Sequence, residues 1–302
     1  MKFLEVTILF LAFIIFFSGT AYFFLKMPTS SIELSDYQAE SVAGLTANST
    51  QFYPNMRFKD RKIRYSINEK CSNKRTLDAQ RAFATLSEKT ILSFSESPNP
   101  QIKILCENIA PEAEQTGHFV AGEGGPTDIV NTTKYAVILQ GKVALYRPET
   151  CETPQVAIHE ILHVLGFEHN NNTKSIMYYI TSCDQELDQH LIDELERLYQ
   201  EPSYGDMIIE SIKSNKTSKS LDIEITFANI GLETINNSSL VIRTKEKIIK
   251  TIEIGEFPIG IKQRLTISNF AIPRNTKEIE FVIETNENEL SKENNIARIS
   301  SA

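Results

Sequence analysis

The sequence predicts an α+β domain, a twisted mixed sheet with helices, followed by an all-β sandwich and preceded by one transmembrane helix. Three observations carry this. Residues 6–25 (VTILFLAFIIFFSGTAYFFL) run for twenty positions without a charge, enough at 1.5 Å per residue for a hydrocarbon core of roughly 30 Å. Strand-like and helix-like runs alternate through residues 57–201, whereas beyond residue 206 only short runs of period two recur. At 302 residues there is room for two domains of roughly 100–200 residues each. The net charge of −8 and pI near 5.3 argue against a nucleic-acid partner, which calls for a basic stripe.

Residues 1–26 are read as a signal anchor, whose apolar run 6–25 is flanked by Lys2, Glu5 and Lys26. The small residues 18–21 (SGTA) could be a cleavage site, but the apolar run continues past them, so an uncleaved single-pass anchor in the cell membrane is preferred. Cleavage would leave a secreted protein. Residues 27–56 lack periodicity and read as a stalk. Residues 61–67 (RKIRYSI) and 101–106 (QIKILC) are strand candidates around a helix over 77–94. Residues 120–128 (VAGEGGPTD) read as a Gly/Pro loop. Residues 135–146 give strand segments broken at Gln140-Gly141. Thr153, a good N-cap, and Pro154, suited to a first turn, start a helix that Gly166 ends. A last helix covers 185–199 with Leu187, Leu191, Ile192, Leu195 and Leu198 on one face. The domain at 57–201 ends at residues 201–206 (EPSYGD), and alternating runs such as 220–227 (SLDIEITF) and 278–285 (EIEFVIET) build the sandwich, 206–302.

The four cysteines, Cys71, Cys106, Cys151 and Cys183, form no C-x-x-C pair. In an exported domain they imply two disulfides, with Cys71–Cys106 and Cys151–Cys183 preferred among three connectivities, or else four buried thiols. Asn-x-Ser/Thr tripeptides at Asn48, Asn131, Asn171, Asn215, Asn236 and Asn237 permit glycosylation.

Chemistry concentrates in residues 159–169 (HEILHVLGFEH), which hold three of the five histidines. Four residues apart on a helix, His159 and His163 share a face. Glu160 is offset by about one hundred degrees, near an ion held by that face without having to bind it. Zinc lowers the pKa of its water to roughly 7, and a carboxylate beside that water can accept its proton. Gly166 stops the helix so that His169 can approach from another direction, leaving a fourth zinc position for water. The competing reading is a buried apolar helix that happens to carry histidines. Met177 follows in SIMYY, residues 175–179.

With these residues in this order, the chain resembles the metzincin metallopeptidases, and within them the matrixin-like ones, over roughly 57–200. The resemblance implies a metzincin-like fold, one catalytic Zn²⁺ on His159, His163 and His169, Glu160 as general base, Met177 as the apolar floor, and a protein or peptide substrate. Tyr179, two after the Met, matches a tyrosine that astacin-like and serralysin-like enzymes place near zinc; it stabilises the oxyanion or simply packs. Departures are Leu162 where many matrixins have Gly, Tyr178-Tyr179 in place of a Pro after the Met-turn tyrosine, and Asn170 instead of the Glu of astacins. No cysteine precedes the domain to support a cysteine switch, and matrixin calcium sites are not placed. Residues 119–122 are the expected substrate-pairing edge, and 180–183 the expected wall of a specificity pocket. His118 and His190 are read as ordinary residues.

Residues 227–231 (FANIG) and 284–295 (ETNENELSKENN) resemble CARDB-like domains, immunoglobulin-like modules of prokaryotic exported proteins, which implies a binding or spacing role toward a surface partner. The acidic run reads as a solvated loop, with calcium binding as the sharper alternative. The function expected is a membrane-anchored, extracytoplasmic zinc endopeptidase. The alternative is a cell-surface adhesion protein whose metal-bearing domain is catalytically idle.

Overall fold

Two separate hydrophobic cores organise the chain, one drawn from residues 56–199 and one from 207–283. The structure is a computed structural model and describes residues 31–38, 50–112, 119–216, 220–273 and 276–300. The expected anchor and His118 lie outside these residues. Among the described residues no helix is long and apolar enough to cross a membrane.

The first core lies between a six-stranded sheet and the helices packed on it. Its elements are β2 (Met56–Phe58), β3 (Lys62–Ile67), α1 (Asn73–Lys89), β4 (Ser93–Glu96), β5 (Ile102–Cys106), β6 (Gly122–Asn131), β7 (Ala136–Leu145), α2 (Gln155–Val164) and α3 (Gln189–Gln200). Strands β2 and β5 pair in parallel with successive halves of β7, and β3 pairs in parallel with both β4 and β5. Strand β6 runs antiparallel along the whole of β7 and pairs with no other strand among those described. It is therefore an edge strand.

Several boundaries differ from the sequence reading. Helix α1 starts earlier, because Ser72 caps it by accepting the Arg75 N–H, and Thr90 ends it; part of its expected last turn is strand β4. The Gly/Pro stretch is not a loop. It is β6, with register shifts at Pro126–Asp128 and Asp128–Ile129 that let an edge strand accommodate proline. Strand β7 runs unbroken through Gln140-Gly141. A Cβ on Gly141 would overlap the Val164 side chain, so this glycine lets α2 approach the sheet. Gly141→Ala is expected to lower stability by about 1–3 kcal/mol through overpacking, read as a lower urea midpoint with unchanged slope; an unaltered midpoint would contradict this packing role.

The stalk also differs from expectation. Within it, β1 (Ser31–Gln38) pairs antiparallel with residues 261–268, and residues 50–58 belong to the first domain. The second core is a sandwich of two four-stranded antiparallel sheets. One has the order β1, β12 (Ile261–Ala271), β9 (Ser220–Asn229), β8 (Met207–Lys216). The other has β11 (Ile248–Phe257), β10 (Ile235–Arg243), β13 (Glu278–Thr285), β14 (Ile296–Ser300). Alternation explains its core: Leu221, Ile223, Ile225 and Phe227 of β9 face Ile279, Phe281 and Ile283 of β13 within one cluster.

The two units touch. Tyr135 and Val137 pack with Leu232 and Leu290, and the Thr132 hydroxyl donates to the Ile230 carbonyl at 3.0 Å. Arg57, 1% exposed, lies over the Tyr199 ring at 4.4 Å and donates to carbonyls of Leu198 and Glu201, which fixes α3 against β2.

Candidate metal centre

Helix α2 is buried at nine of its ten positions, so its polar side chains must find internal partners. Its N-terminus is not capped by Thr153. Pro154 sits at the cap position without a side-chain bond, and the carboxylate of Glu149 accepts the Val156 N–H at 2.9 Å together with the N–H groups of Thr150 and Cys151. A carboxylate there also suits the positive end of the helix dipole. At the other end Gly166 adopts φ +96°. Its N–H bonds the His163 carbonyl, and the Phe167 N–H bonds that of Leu162, the paired closure of a Schellman motif.

The loop after Gly166 is held from two sides. Phe52 N–H donates to the Gly166 carbonyl and Glu168 N–H to the Thr50 carbonyl, while Asn170 N–H donates to the Met177 carbonyl. His169 is thereby placed between two anchored neighbours. The result is a triangle: the Nε2 atoms of His159, His163 and His169 stand 3.1 Å apart in all three pairs.

The hydrogen bonds on the far side of the rings give this triangle its meaning. His159 Nδ1 lies 2.6 Å from the Ile176 carbonyl and His163 Nδ1 2.7 Å from the Phe167 carbonyl. A carbonyl can only accept, so both Nδ1 atoms carry the proton and both Nε2 atoms present lone pairs to the centre. Two such nitrogens cannot hydrogen-bond each other. Ligand nitrogens about 2.0–2.1 Å from a shared tetrahedral zinc stand about 3.3 Å apart, close to the separation seen, and carbonyl-fixed imidazoles are the usual support for metal ligands. The donor set therefore fits one zinc ion. His159 and His163 are 4% and 7% exposed, whereas His169 is exposed, so the centre opens to solvent on the His169 side.

Burial, then the neighbouring His163, presses the His159 pKa down to about 3; burial brings His163 to about 4 and also lowers His169. In the metal-free chain the unfolded state binds more protons between the unfolded value near 6.5 and these folded values. Stability is then present above pH 6.5 and lost as pH falls through that window. Thermal melting of the chelator-treated protein from pH 7 to pH 4 is expected to show a falling Tm, steeper than in a His159→Gln, His163→Gln variant; equal slopes would contradict it.

Glu160, 7% exposed, points toward β6. A Cβ on Gly122 would lie 2.7 Å from Glu160 Cγ, and one on Gly124 would overlap the Glu160 backbone. The two glycines let the edge strand lie directly against the carboxylate, which accepts the Gly124 N–H. Burial and then the charge of Glu123 raise the Glu160 pKa to about 8 in the metal-free chain; a dication at the histidines acts in the opposite direction. Glu123 itself accepts the Tyr146 hydroxyl at 2.6 Å.

Met177 is fully buried in the turn whose Ile176 carbonyl holds His159. Ser175, to which the sequence assigned no role, organises that turn. Its hydroxyl accepts from Asn170 Nδ2 and the Met177 N–H and donates to Asp188, the N-cap of α3. Tyr179 is 51% exposed and its ring lies 4.4 Å from that of Tyr178; no contact seen among the described residues joins it to the histidines. His190 is exposed. Residues 180–183 form a turn closed by Gln185, which bonds Ile180 and Ser182. The disulfides are Cys71–Cys106 and Cys151–Cys183, the preferred connectivity, and the second ties the entry to α2 to this turn.

A family model described as matrixin matches residues 57–200, so this part of the chain is similar to a metzincin-type peptidase domain. Among solved structures the chain is similar to high choriolytic enzyme 1, a hatching enzyme zinc-protease from the medaka fish Oryzias latipes. The identity is 16% and the TM-score 0.26, with 43% of this chain and 55% of that one covered, so the chain spans about half the length of that relative. No curated protein matches.

Proposed function

We propose that the chain is a zinc endopeptidase, anchored through residues 6–25 with its bulk outside the membrane, and that His159, His163 and His169 hold the metal. The observation that carries this reading is the triangle of imidazole nitrogens with their outer protons committed to backbone carbonyls. Zinc, when bound there, supplies Lewis acidity toward water and toward a carbonyl oxygen. Glu160 accepts the proton of the attacking water and returns it to the leaving amine. The Gly124 N–H holds that carboxylate against β6. The free edge of β6, beside Glu160, offers backbone groups with which an extended peptide can pair, a longer edge than the expected residues 119–122. The turn at 180–183, tied to the entry of α2 by the Cys151–Cys183 bridge, is the proposed source of side-chain preference.

The sandwich is a CARDB-like, immunoglobulin-like module that spaces the peptidase from the membrane or presents it to a surface partner. Retention of Glu160 beside a complete histidine set favours catalysis over an idle adhesion module.

Two experiments address this. Incubating the zinc-loaded full chain with a mixed peptide library, and sequencing the products by mass spectrometry, is expected to reveal internal cuts. Trimming of terminal residues only, or no cleavage, would rule out an endopeptidase. Protease protection of intact cells is expected to leave residues 31–300 accessible from outside; protection of the sandwich would reverse the topology.

A further inference from the structure

The sandwich carries opposite charge at its two ends, and the strand register shows which end is which. Strand β1 begins beside the end of β12, with Ser31 opposite Ser268, and β9 begins there too, with Leu221 opposite Phe270. The chain leaves β12 at Ala271 and enters β13 at Glu278. Arg243, opposite Glu280 and Ile248, brings the end of β10 and the start of β11 to the same end. Lys245, Lys247, Lys250 and Lys277 are exposed there, with Glu246 and Glu278 beside them, and enter no ion pair among the described residues. Arg243 and Arg298 share one carboxylate, Glu280, at 2.6 Å each. This end is therefore basic in a chain of net charge −8. The other end holds Asp206, Glu287, Glu289 and Glu293, and it meets the peptidase domain through Leu232 and Leu290.

The same end exposes apolar side chains. Among the described residues of β1 and of 207–300, the exposed large hydrophobics are Ile32 at 41%, Leu34 at 46% and Ile248 at 63%. Ile32 and Leu34 stand opposite Ile267 and Leu265, which are buried in the core. Directly opposed residues share a face, so Ile32 and Leu34 point to the inner side of their sheet, and nothing among the described residues covers them. Strand β8 packs on β13 and β14, which aligns those edges and leaves β1 and β11 along the other. Ile248 opens β11 just after Lys247. One edge of the basic end thus sets apolar side chains within a fringe of lysines. Such a surface suits the boundary between water and lipid, where apolar groups enter the acyl region and ammonium groups meet phosphates.

Chain length names the occupant. Residues 26–30 separate the apolar run from β1 and reach at most about 20 Å when fully extended. With residues 6–25 in the bilayer, the start of β1 stays within that distance of its surface. We propose that the basic end of the sandwich docks on the anionic headgroups of that membrane, an interaction that rests on the anchor and not on the peptidase chemistry. The acidic end is repelled by the same surface and faces away from it. The sandwich is as long as β9, ten residues at about 3.3 Å each. Docking therefore holds the peptidase domain roughly 30 Å off the bilayer.

The test inserts the full chain, one per disc, into lipid discs of phosphatidylcholine alone or of phosphatidylcholine with phosphatidylglycerol. Amine acylation, read lysine by lysine by mass spectrometry, reports which ammonium groups the surface covers. With phosphatidylglycerol, Lys245, Lys247, Lys250 and Lys277 are expected to react at least about fivefold more slowly. Lys292, at the acidic end, is expected to react equally in both discs. Salt at about 1 M, where the screening length is about 3 Å, is expected to remove the difference. Lys247→Glu with Lys250→Glu is expected to bring Lys245 and Lys277 to within about twofold of their rate in phosphatidylcholine, at unchanged Tm. Inserted chain whose four lysines react equally in the two lipids would overturn the docking and leave the anchor standing. Chain that does not enter the discs at all would refute the anchor, and the docking with it. Protection that follows the number of chains per disc, and not phosphatidylglycerol, would assign the surface to a second copy and overturn the proposal.

Discussion

Glu160→Gln is expected to lower kcat/KM for peptide hydrolysis by about 10²–10⁴-fold, with the loss in kcat and with zinc still at one per chain. The side chain is nearly fully buried between α2 and β6, so a change of shape would disturb the fold. Glutamine keeps the volume and still accepts the Gly124 N–H through its amide oxygen, but it cannot take a proton from water. An interaction made only in the transition state lowers kcat while KM stays near its original value. Steady-state kinetics on a cleaved library peptide, with metal analysis of the same samples, separates the cases. Activity within about twofold of wild type would remove Glu160 from the chemistry. Loss of zinc would show instead that the residue supports the ligands.

Removing the Cys151–Cys183 bridge by paired serine substitutions is expected to destabilise the zinc-loaded protein by about 4 kcal/mol, the loop-entropy value for the 32 residues it closes. That loop contains α2, the three histidines and Met177, so zinc affinity is expected to fall with stability. The Cys71–Cys106 bridge closes a loop of 35 residues that contains none of them. Its removal is expected to cost a similar amount in stability and to leave zinc affinity close to wild type. Urea unfolding and competitive zinc titration on both double variants provide the comparison. Equal zinc losses in the two would show that the bridges act only through global stability.

The histidine triangle was legible in the sequence because its geometry is local. Helical pitch alone brings His159 and His163 together, a glycine free to adopt positive φ turns the chain, and His169 follows within three residues. What the sequence concealed depends on distant partners. Nothing near residues 31–38 shows that they complete a sheet with residues 261–268, and the serine- and alanine-rich stretch beside them hides the strand. Strand β6 was masked by Gly122, Gly124, Gly125 and Pro126, which read as a loop by local preference. Two of those glycines are present because Glu160 and its helix leave no room for a side chain; glycine at alternate positions of a run that follows one strand and precedes another was the available signal. The cap on α2 came from Glu149, five residues before Pro154, where carboxylate and helix meet only through the intervening turn. Ser175 and Asp188 could not be paired by spacing, since the turn that joins them is defined by the fold around Met177.

The most direct measurement is a zinc titration of chelator-treated full chain while internal cleavage of a library peptide is followed. Activity should be absent at the start, rise in proportion to added zinc and level off at one zinc per chain. Cleavage before any zinc is added, or none after one equivalent has bound, would contradict the assignment of His159, His163 and His169 to a catalytic metal.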